Sequence, residues 1–191
     1  MDIEFEATFP DVNKNDVREV LKKVGAELIR AEFIQRRVVF NLPSGHEIKG
    51  GWMRVRDEGD ITTMSLKVVD GNKIENQKEV YLEINDFNAA ELLLTRIGCE
   101  RKAYQESKRE LWKLDGIDIT IDEWPFLEPY VEIEGTSEED VIKTSQKLGF
   151  NYADALFCSV DTLYKRKYGL SEDIINNHTP VITFSGKNPF I

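Results

Sequence analysis

The chain opens with a strict alternation of apolar and polar positions, Ile3-Glu4-Phe5-Glu6-Ala7-Thr8-Phe9. Successive side chains of a strand point to opposite sides, so Glu4, Glu6 and Thr8 share one face and Ile3, Phe5, Ala7 and Phe9 the other. The same two-residue period returns at Met53–Arg56, Val80–Ile84, Ile117–Asp122 and Val131–Glu134. One such strand is an ordinary half-buried edge. Five, with carboxylates on some and guanidiniums on others, predict a sheet folded around a polyionic interior.

Three segments repeat a layout of charged-face strand, short turn, amphipathic helix and closing glycine. They run Ile3 to Gly25, Val80 to Gly98 and Val131 to Gly149. Each glycine suits the left-handed residue that follows a helix, with Lys or Arg favourably placed at the negative end of its dipole. Asp86, Ser137 and one of Asn13 or Asn15 are the expected N-caps. Between these units lie a long strand from about Leu28 to Leu42, bent near Ala31, and two hairpins. Gly51–Asp57 pairs with Thr62–Val69 across Glu58-Gly59-Asp60, and Ser107–Leu114 pairs with Ile117–Glu123 across Asp115-Gly116. Pro43–Glu47 and Asp70–Lys73 read as loops, and Ala153–Tyr168 as a helix. The pattern predicts one α+β domain over residues 1–168, with roughly eight antiparallel strands and flanking helices, followed by a tail at 169–191. Val181–Phe184 is that tail's one extended candidate.

At 191 residues, 41% apolar and 31% charged, the chain has the composition of a folded domain with a sizeable core. No stretch is long and apolar enough for a membrane helix. The strand pattern starts too early to leave room for a leader, so the expected compartment is the cytoplasm. A net charge of −10 argues against a nucleic-acid or anionic-membrane surface, though not against a small anion held by bases inside the fold. Cys99 and Cys158 are too few for a disulfide framework or zinc site, and His46 and His178 fall in a loop and the tail. Trp52, Trp112 and Trp124 read as packing residues. The chemistry must therefore come from carboxylates, lysines and arginines.

Two carboxylates at i and i+2 on one strand face lie about 7 Å apart, close enough to flank one hard divalent ion. Glu4/Glu6 and Glu132/Glu134 have this spacing, and Glu79, Glu83 and Asp122 add further acids. Without cations such a cluster repels itself and raises its own pKa values. A counter-set exists in Arg54 and Arg56 on one face, Lys67 on the partner strand, and Lys108 with Arg109 further on. Arginine forks and lysine point charges suit phosphate oxygens. Taken strand by strand, these charges could equally line a solvated sheet face; the repetition of Glu-x-Glu and Arg-x-Arg favours a site.

In their joint order, Glu4-x-Glu6, Arg54-Val-Arg56, Ser65-Leu-Lys67, the Glu79–Glu83 strand, Lys108-Arg109 and Glu132-Ile-Glu134 resemble the CYTH superfamily. That group holds class IV adenylyl cyclases, thiamine triphosphatases and inorganic triphosphatases built as a triphosphate tunnel. The resemblance spans about Asp2 to Lys165 and implies an eight-stranded antiparallel barrel. It implies Mg²⁺ or Mn²⁺ on Glu4, Glu6, Glu132 and Glu134, and a triphosphate gripped by Arg54, Arg56, Lys67, Arg109 and Lys108. Glu83 and Asp122 would stand in the tunnel wall, with Lys67, Arg109 and Thr8 nearest the chemistry. The family's Glu-x-Glu-x-Lys signature, whose Lys is implied to help position or activate the attacking group, has Thr8 at its last position here; Lys165 is a candidate replacement.

Three functions follow as expectations: metal-dependent cleavage of a phosphoanhydride bond in tripolyphosphate or a nucleoside triphosphate; cyclisation of ATP to cyclic AMP and pyrophosphate; or binding of such compounds without turnover. A small-molecule triphosphate is the expected partner. Through Phe184 and Phe190 the tail would either cover a barrel opening or mediate a homodimer.

Overall fold

The alternating N-terminal run closes the sheet on itself. The computed structural model describes residues 1–191, and in it this run forms two segments, β1 (Asp2–Ile3) and β2 (Phe5–Phe9). The remaining strands are β3 (Glu27–Asn41), β4 (Gly51–Asp57), β5 (Thr62–Val69), β6 (Gln77–Ile84), β7 (Glu100–Leu114), β8 (Ile117–Glu123), β9 (Tyr130–Gly135) and β10 (Val181–Ile182). Helices α1 (Lys14–Lys23), α2 (Phe87–Arg96), α3 (Glu138–Lys147), α4 (Val160–Tyr168) and α5 (Glu172–Asn177) lie between and after them. Strand order is β1-β6-β5-β4-β3-β7-β8-β9-β2, antiparallel throughout. One run of chain thus supplies both ends, giving nine paired segments in a nearly closed barrel. Gln77 stitches the seam: its carbonyl accepts from Glu4 N at 2.9 Å, and its amide donates to Glu6 O at 2.7 Å. The fold is the α+β antiparallel sheet around an ionic interior that the alternation predicts, closed into the barrel that the resemblance implies, with nine paired segments in place of eight strands.

The local signals act as expected. Asn13, Asp86 and Ser137 accept from helix N-terminal amides through their side chains. Gly25, Gly98 and Gly149 follow their helices at φ of 83°, 98° and 84°, where a Cβ would be strained. Asp115 and Gly116 both take positive φ, 52° and 86°, the requirement of a two-residue hairpin turn matched to strand twist.

The barrel is inside out relative to a sandwich. Its outward faces carry apolar residues, and helices cover those of β2, β8 and β9 and of β3 and β4, whereas Val80 and Leu82 on β6 stay exposed. Ala7, Phe9, Ile119, Ile121, Val131 and Ile133 pack under α1 and α3 with Leu21, Val141 and Leu148. Val38, Phe40 and Val55 pack under α2 with Ala90 and Leu94. Full burial stabilises each large aliphatic side chain by about 1.5–3 kcal/mol, so the helices fix which strand face looks inward. No helix is long and apolar enough to cross a membrane.

Three differences from the expected elements have physical causes. Strand β7 begins at Glu100, seven residues before Ser107; its polar first half pairs with β3, and β10 covers its other edge at Tyr104 and Gln105. Helix α4 begins at Val160 rather than Ala153, because Leu156 exchanges two backbone hydrogen bonds with Thr8 and extends the barrel wall. The tail forms α5 and β10, and packs Ile175, Ile182 and Phe190 against Trp124, Tyr130, Leu163 and Tyr164.

Candidate functional site

A cavity of about 1150 Å³ runs through the barrel. Into it point the alternate residues that the outer core leaves facing inward. Glu4, Glu6, Glu132, Glu134, Arg54, Arg56, Lys67 and Arg109 all line it, as do Glu79 and Arg37. Trp112 and Trp124 are buried in packing, though Trp124 also forms part of the cavity wall, and Trp52 is half-buried and lines the cavity.

Basic side chains come from β3, β4, β5 and β7. Arg54 Nη2 reaches Glu79 Oε1 at 3.0 Å, Lys67 Nζ reaches Glu4 Oε2 at 3.0 Å, and Arg56 Nε lies 2.6 Å from Glu58 Oε1. Arg109 forks onto Asp122 through Nε and Nη2 at 2.7 and 2.6 Å, and Nη2 also meets Glu132 at 2.6 Å. The hairpin register, which sets Arg109 opposite Asp122, makes that fork possible. Asp122 stands behind the wall, 1% exposed, with Thr120 donating to it at 2.9 Å. It holds the Arg109 guanidinium in one orientation.

The acidic wall is β2 against β9. Glu6 stands directly opposite Glu134, and Thr8 opposite Glu132. Burial, then Glu6, pushes the Glu134 carboxyl up to about 6. Burial, Glu6 and Asp122 hold Glu132 well above the usual carboxylate range. Burial raises Glu4 to about 8 against the pull of Lys67, whereas Lys67 and Arg54 overcome the burial of Glu79 and hold it near 2. Glu134 is surrounded by protein yet its side chain is exposed into the cavity.

A divalent cation fits this wall chemically. The donors are all hard carboxylate oxygens, and the opposed Glu6/Glu134 pair has neither a lysine nor an arginine bridged to it. The four predicted ligands are not equivalent, however. Glu4 and Glu132 are committed to Lys67 and Arg109, and no three acids converge into a preformed cluster.

Three predicted site residues, Lys108, Glu83 and Thr8, fall outside the cavity lining. Lys108 neighbours Arg109 on a strand and so faces outward, beside Glu123 at 3.5 Å and over the Phe184 ring. Glu83 shares the inward parity of Glu79 but sits near the end of β6, exposed and outside the cavity lining. Thr8 is 2% exposed and does not line the cavity. Lys165 pairs with Glu172 on the surface, so it restores no charge at Thr8. Sequence reasoning missed Arg37, Glu58 and Lys102. Arg37 shares an inward face with Gln35 and Val39, a signal hidden by its neighbour Arg36.

With this geometry in place, the relatives are informative. A CYTH domain family model matches residues 2–161. A Methanocaldococcus jannaschii protein named "Putative adenylate cyclase" is 26% identical over 170 residues, covering 87% of this chain and 96% of that one. A solved Vibrio parahaemolyticus structure, described as "a putative adenylate cyclase", superposes with a TM-score of 0.73 at 15% identity, over 86% of this chain and 98% of the other. One from Hippeastrum has a TM-score of 0.57 at 13% identity, over 87% and 96% of the two chains. It is described as a "putative adenylyl cyclase" with a dominant triphosphatase activity. At these identities the solved structures establish a shared fold.

Proposed function

The chain belongs to the CYTH domain family, and from that premise we propose that it is a divalent-metal-dependent enzyme cleaving a phosphoanhydride bond of a triphosphate. The observation that carries this reading is the segregation of charge inside the cavity, with guanidiniums and an ammonium facing a carboxylate wall that lacks its full complement of cations. Tripolyphosphate and a nucleoside triphosphate both match it in charge.

In this reading Glu6 and Glu134 are the principal metal ligands, with Glu4 and Glu132 able to join when their bases turn to phosphate. Mg²⁺ or Mn²⁺ bound there would supply neutralisation of phosphate oxygens and a bound water of lowered pKa. Arg54, Arg56 and Lys67 neutralise the phosphate chain. Arg109, oriented by the Asp122 fork, presents a fixed cation to charge that develops on the leaving oxygen; such preorganised donors are commonly the largest catalytic term. Removing one is typically worth about 10²–10³ in rate.

A second reading is cyclisation of ATP, favoured by the name of the M. jannaschii relative and by Trp52, whose ring in the cavity lining could stack a base. Cyclisation demands in addition a pocket that sets the 3′ hydroxyl in line with the α-phosphate, so hydrolysis ranks first. Product analysis decides. Purified protein is incubated with ATP, and separately with tripolyphosphate, in Mg²⁺ and in Mn²⁺, beside a Glu134→Gln control. Control-sensitive orthophosphate release is the expected result. Cyclic AMP with pyrophosphate would transfer the assignment to the second reading, and no turnover would overturn both.

A further inference from the structure

Each cavity arginine but one has a carboxylate within 4 Å. Arg54 has Glu79, Arg56 has Glu58, and Arg109 has Asp122 and Glu132. Arg37 has none. It projects from the middle of β3, opposite Arg56 on one side and Gln105 on the other, and is only 6% exposed. Its Nη2 donates to Gln35 Oε1 at 2.8 Å and to Ser107 Oγ, both neutral, and its Nε is buried without a partner. The guanidinium lies 4.4 Å from the centre of the Trp124 ring, which stiffens it without neutralising it. Burial, then the like charges of Arg54, Arg56 and Arg109, lowers its proton affinity well below the ordinary guanidinium range. Arginine nevertheless stays protonated in proteins. A permanent cation is therefore held in a buried position against three others, at a cost no internal acid offsets.

Unpaired buried charges are strongly destabilising, so such an arrangement persists where something outside the fold relieves it. The free guanidinium edge faces the same cavity as Arg54, Arg56 and Arg109, and only an anion entering that cavity can meet all four forks. We propose that Arg37 is a direct ligand of a phosphoryl group, forming with Arg54, Arg56 and Arg109 an arginine cradle of which it alone is uncompensated in the free protein. Gln35 and Ser107 position it, and Trp124 keeps its plane fixed. The inference deepens the triphosphate reading by adding a residue that grips the phosphate chain from the β3 side. It does not depend on which bond is cleaved.

The test separates binding from folding. Arg37→Gln and Arg37→Met remove the charge, the second keeping apolar packing on Trp124, and Arg37→Lys keeps the charge without the fork. Calorimetric affinity and thermal shift are measured for each variant with tripolyphosphate plus Mg²⁺, and with inorganic phosphate and sulfate alone. The free Gln and Met variants are expected to melt at or above the wild-type temperature, since a buried repulsion is gone. Their tripolyphosphate affinity should fall at least tenfold, with partial recovery in Arg37→Lys. Unchanged affinity in either neutral variant would overturn the proposal. If wild type binds phosphate or sulfate through Arg37 but ignores tripolyphosphate, the triphosphate reading fails and the cradle stands. If wild type binds none of the three anions, the cradle fails as well.

Discussion

Two regions of this molecule are equally rich in charge and differ in how it is balanced. Outside the barrel, under α1, Arg18 grips Glu110 through Nε at 3.0 Å and Nη2 at 2.8 Å, and Trp112 Nε1 donates to the same carboxylate at 2.6 Å. Beside them Lys14 bridges Glu32 and Glu123. Every member is matched. Inside the barrel Arg37 has no acid, and Glu6 opposes Glu134 with no base between them. Matched charge holds α1 to the sheet, whereas unmatched charge costs stability and is complete only when a ligand arrives. The distinction is one of partners rather than of composition, and variants can separate the two regions.

The largest effect is expected inside. Glu134→Gln, alone or with Glu132→Gln, should lower metal-dependent triphosphate turnover by about 10²-fold or more, near 2.7 kcal/mol of barrier. The same change should leave the melting temperature of the free protein unaltered or higher, because it removes a repelling carboxylate. Loss of activity accompanied by loss of fold would break the contrast, since it would make Glu134 a structural residue.

Next in size comes the matched cluster. Glu110 is 5% exposed, and Glu110→Ala strands the Trp112 indole N–H and frees Arg18. The cost should be about 2 kcal/mol, lowering the melting temperature by about 4–8 °C for a chain of this size. The tripolyphosphate-induced thermal shift should survive intact, and a lost shift would show that the outer cluster is part of the site.

How much of this was legible depends on range. Face assignment follows from a period of two, so the inward set of Glu4, Glu6, Arg54, Arg56, Lys67, Glu132 and Glu134 could be read from the chain. The Arg109–Asp122 fork could also have been counted outward from the Asp115-Gly116 turn. The same parity rule excludes Lys108, which only its basic neighbour made attractive. Glu6 against Glu134 could not be found locally, because β2 and β9 meet only when the barrel closes. Arg37 was hidden because Arg36-Arg37 reads as a solvated pair, and a missing partner is a property of three dimensions. The tail's extended stretch and Phe190 could be picked out from the chain, but their docking beside Trp124 could not, because Ile182 and Phe190 meet it across long sequence separations.

A smaller effect, of opposite sign in the two regions, should appear with pH. Glu134 and Glu4 are raised from 4.5 to about 6 and about 8. The native state therefore binds more protons than the unfolded chain between about pH 5 and 8, and stability falls as pH rises through that window. Glu123, held below its ordinary value by Lys14 despite burial, adds stability above that value and loses it as pH falls further. The free protein should melt higher near pH 5 than at pH 8, and saturating Mg²⁺ should flatten the trend. A melting temperature that rises with pH across this window in the metal-free protein would mean the acidic wall is already neutralised.

The smallest effect tests whether closeness alone makes a charge pair matter. Lys147 Nζ lies 2.5 Å from Asp115 Oδ2, nearer than Arg54 to Glu79, and it joins α3 to the turn between β7 and β8. Yet its two side chains are 54% and 68% exposed, so water already solvates both ions and the entropy of fixing a long side chain offsets most of the attraction. Lys147→Ala should change stability by no more than about 0.5 kcal/mol, measured by urea unfolding, and should leave ligand-induced shifts unchanged. A cost as large as that of Glu110→Ala would mean that distance, rather than burial and completeness of pairing, ranks the charges of this barrel. The inner set would then have to be judged by the same measure, and Arg37, which has no close acid at all, would become its least consequential member.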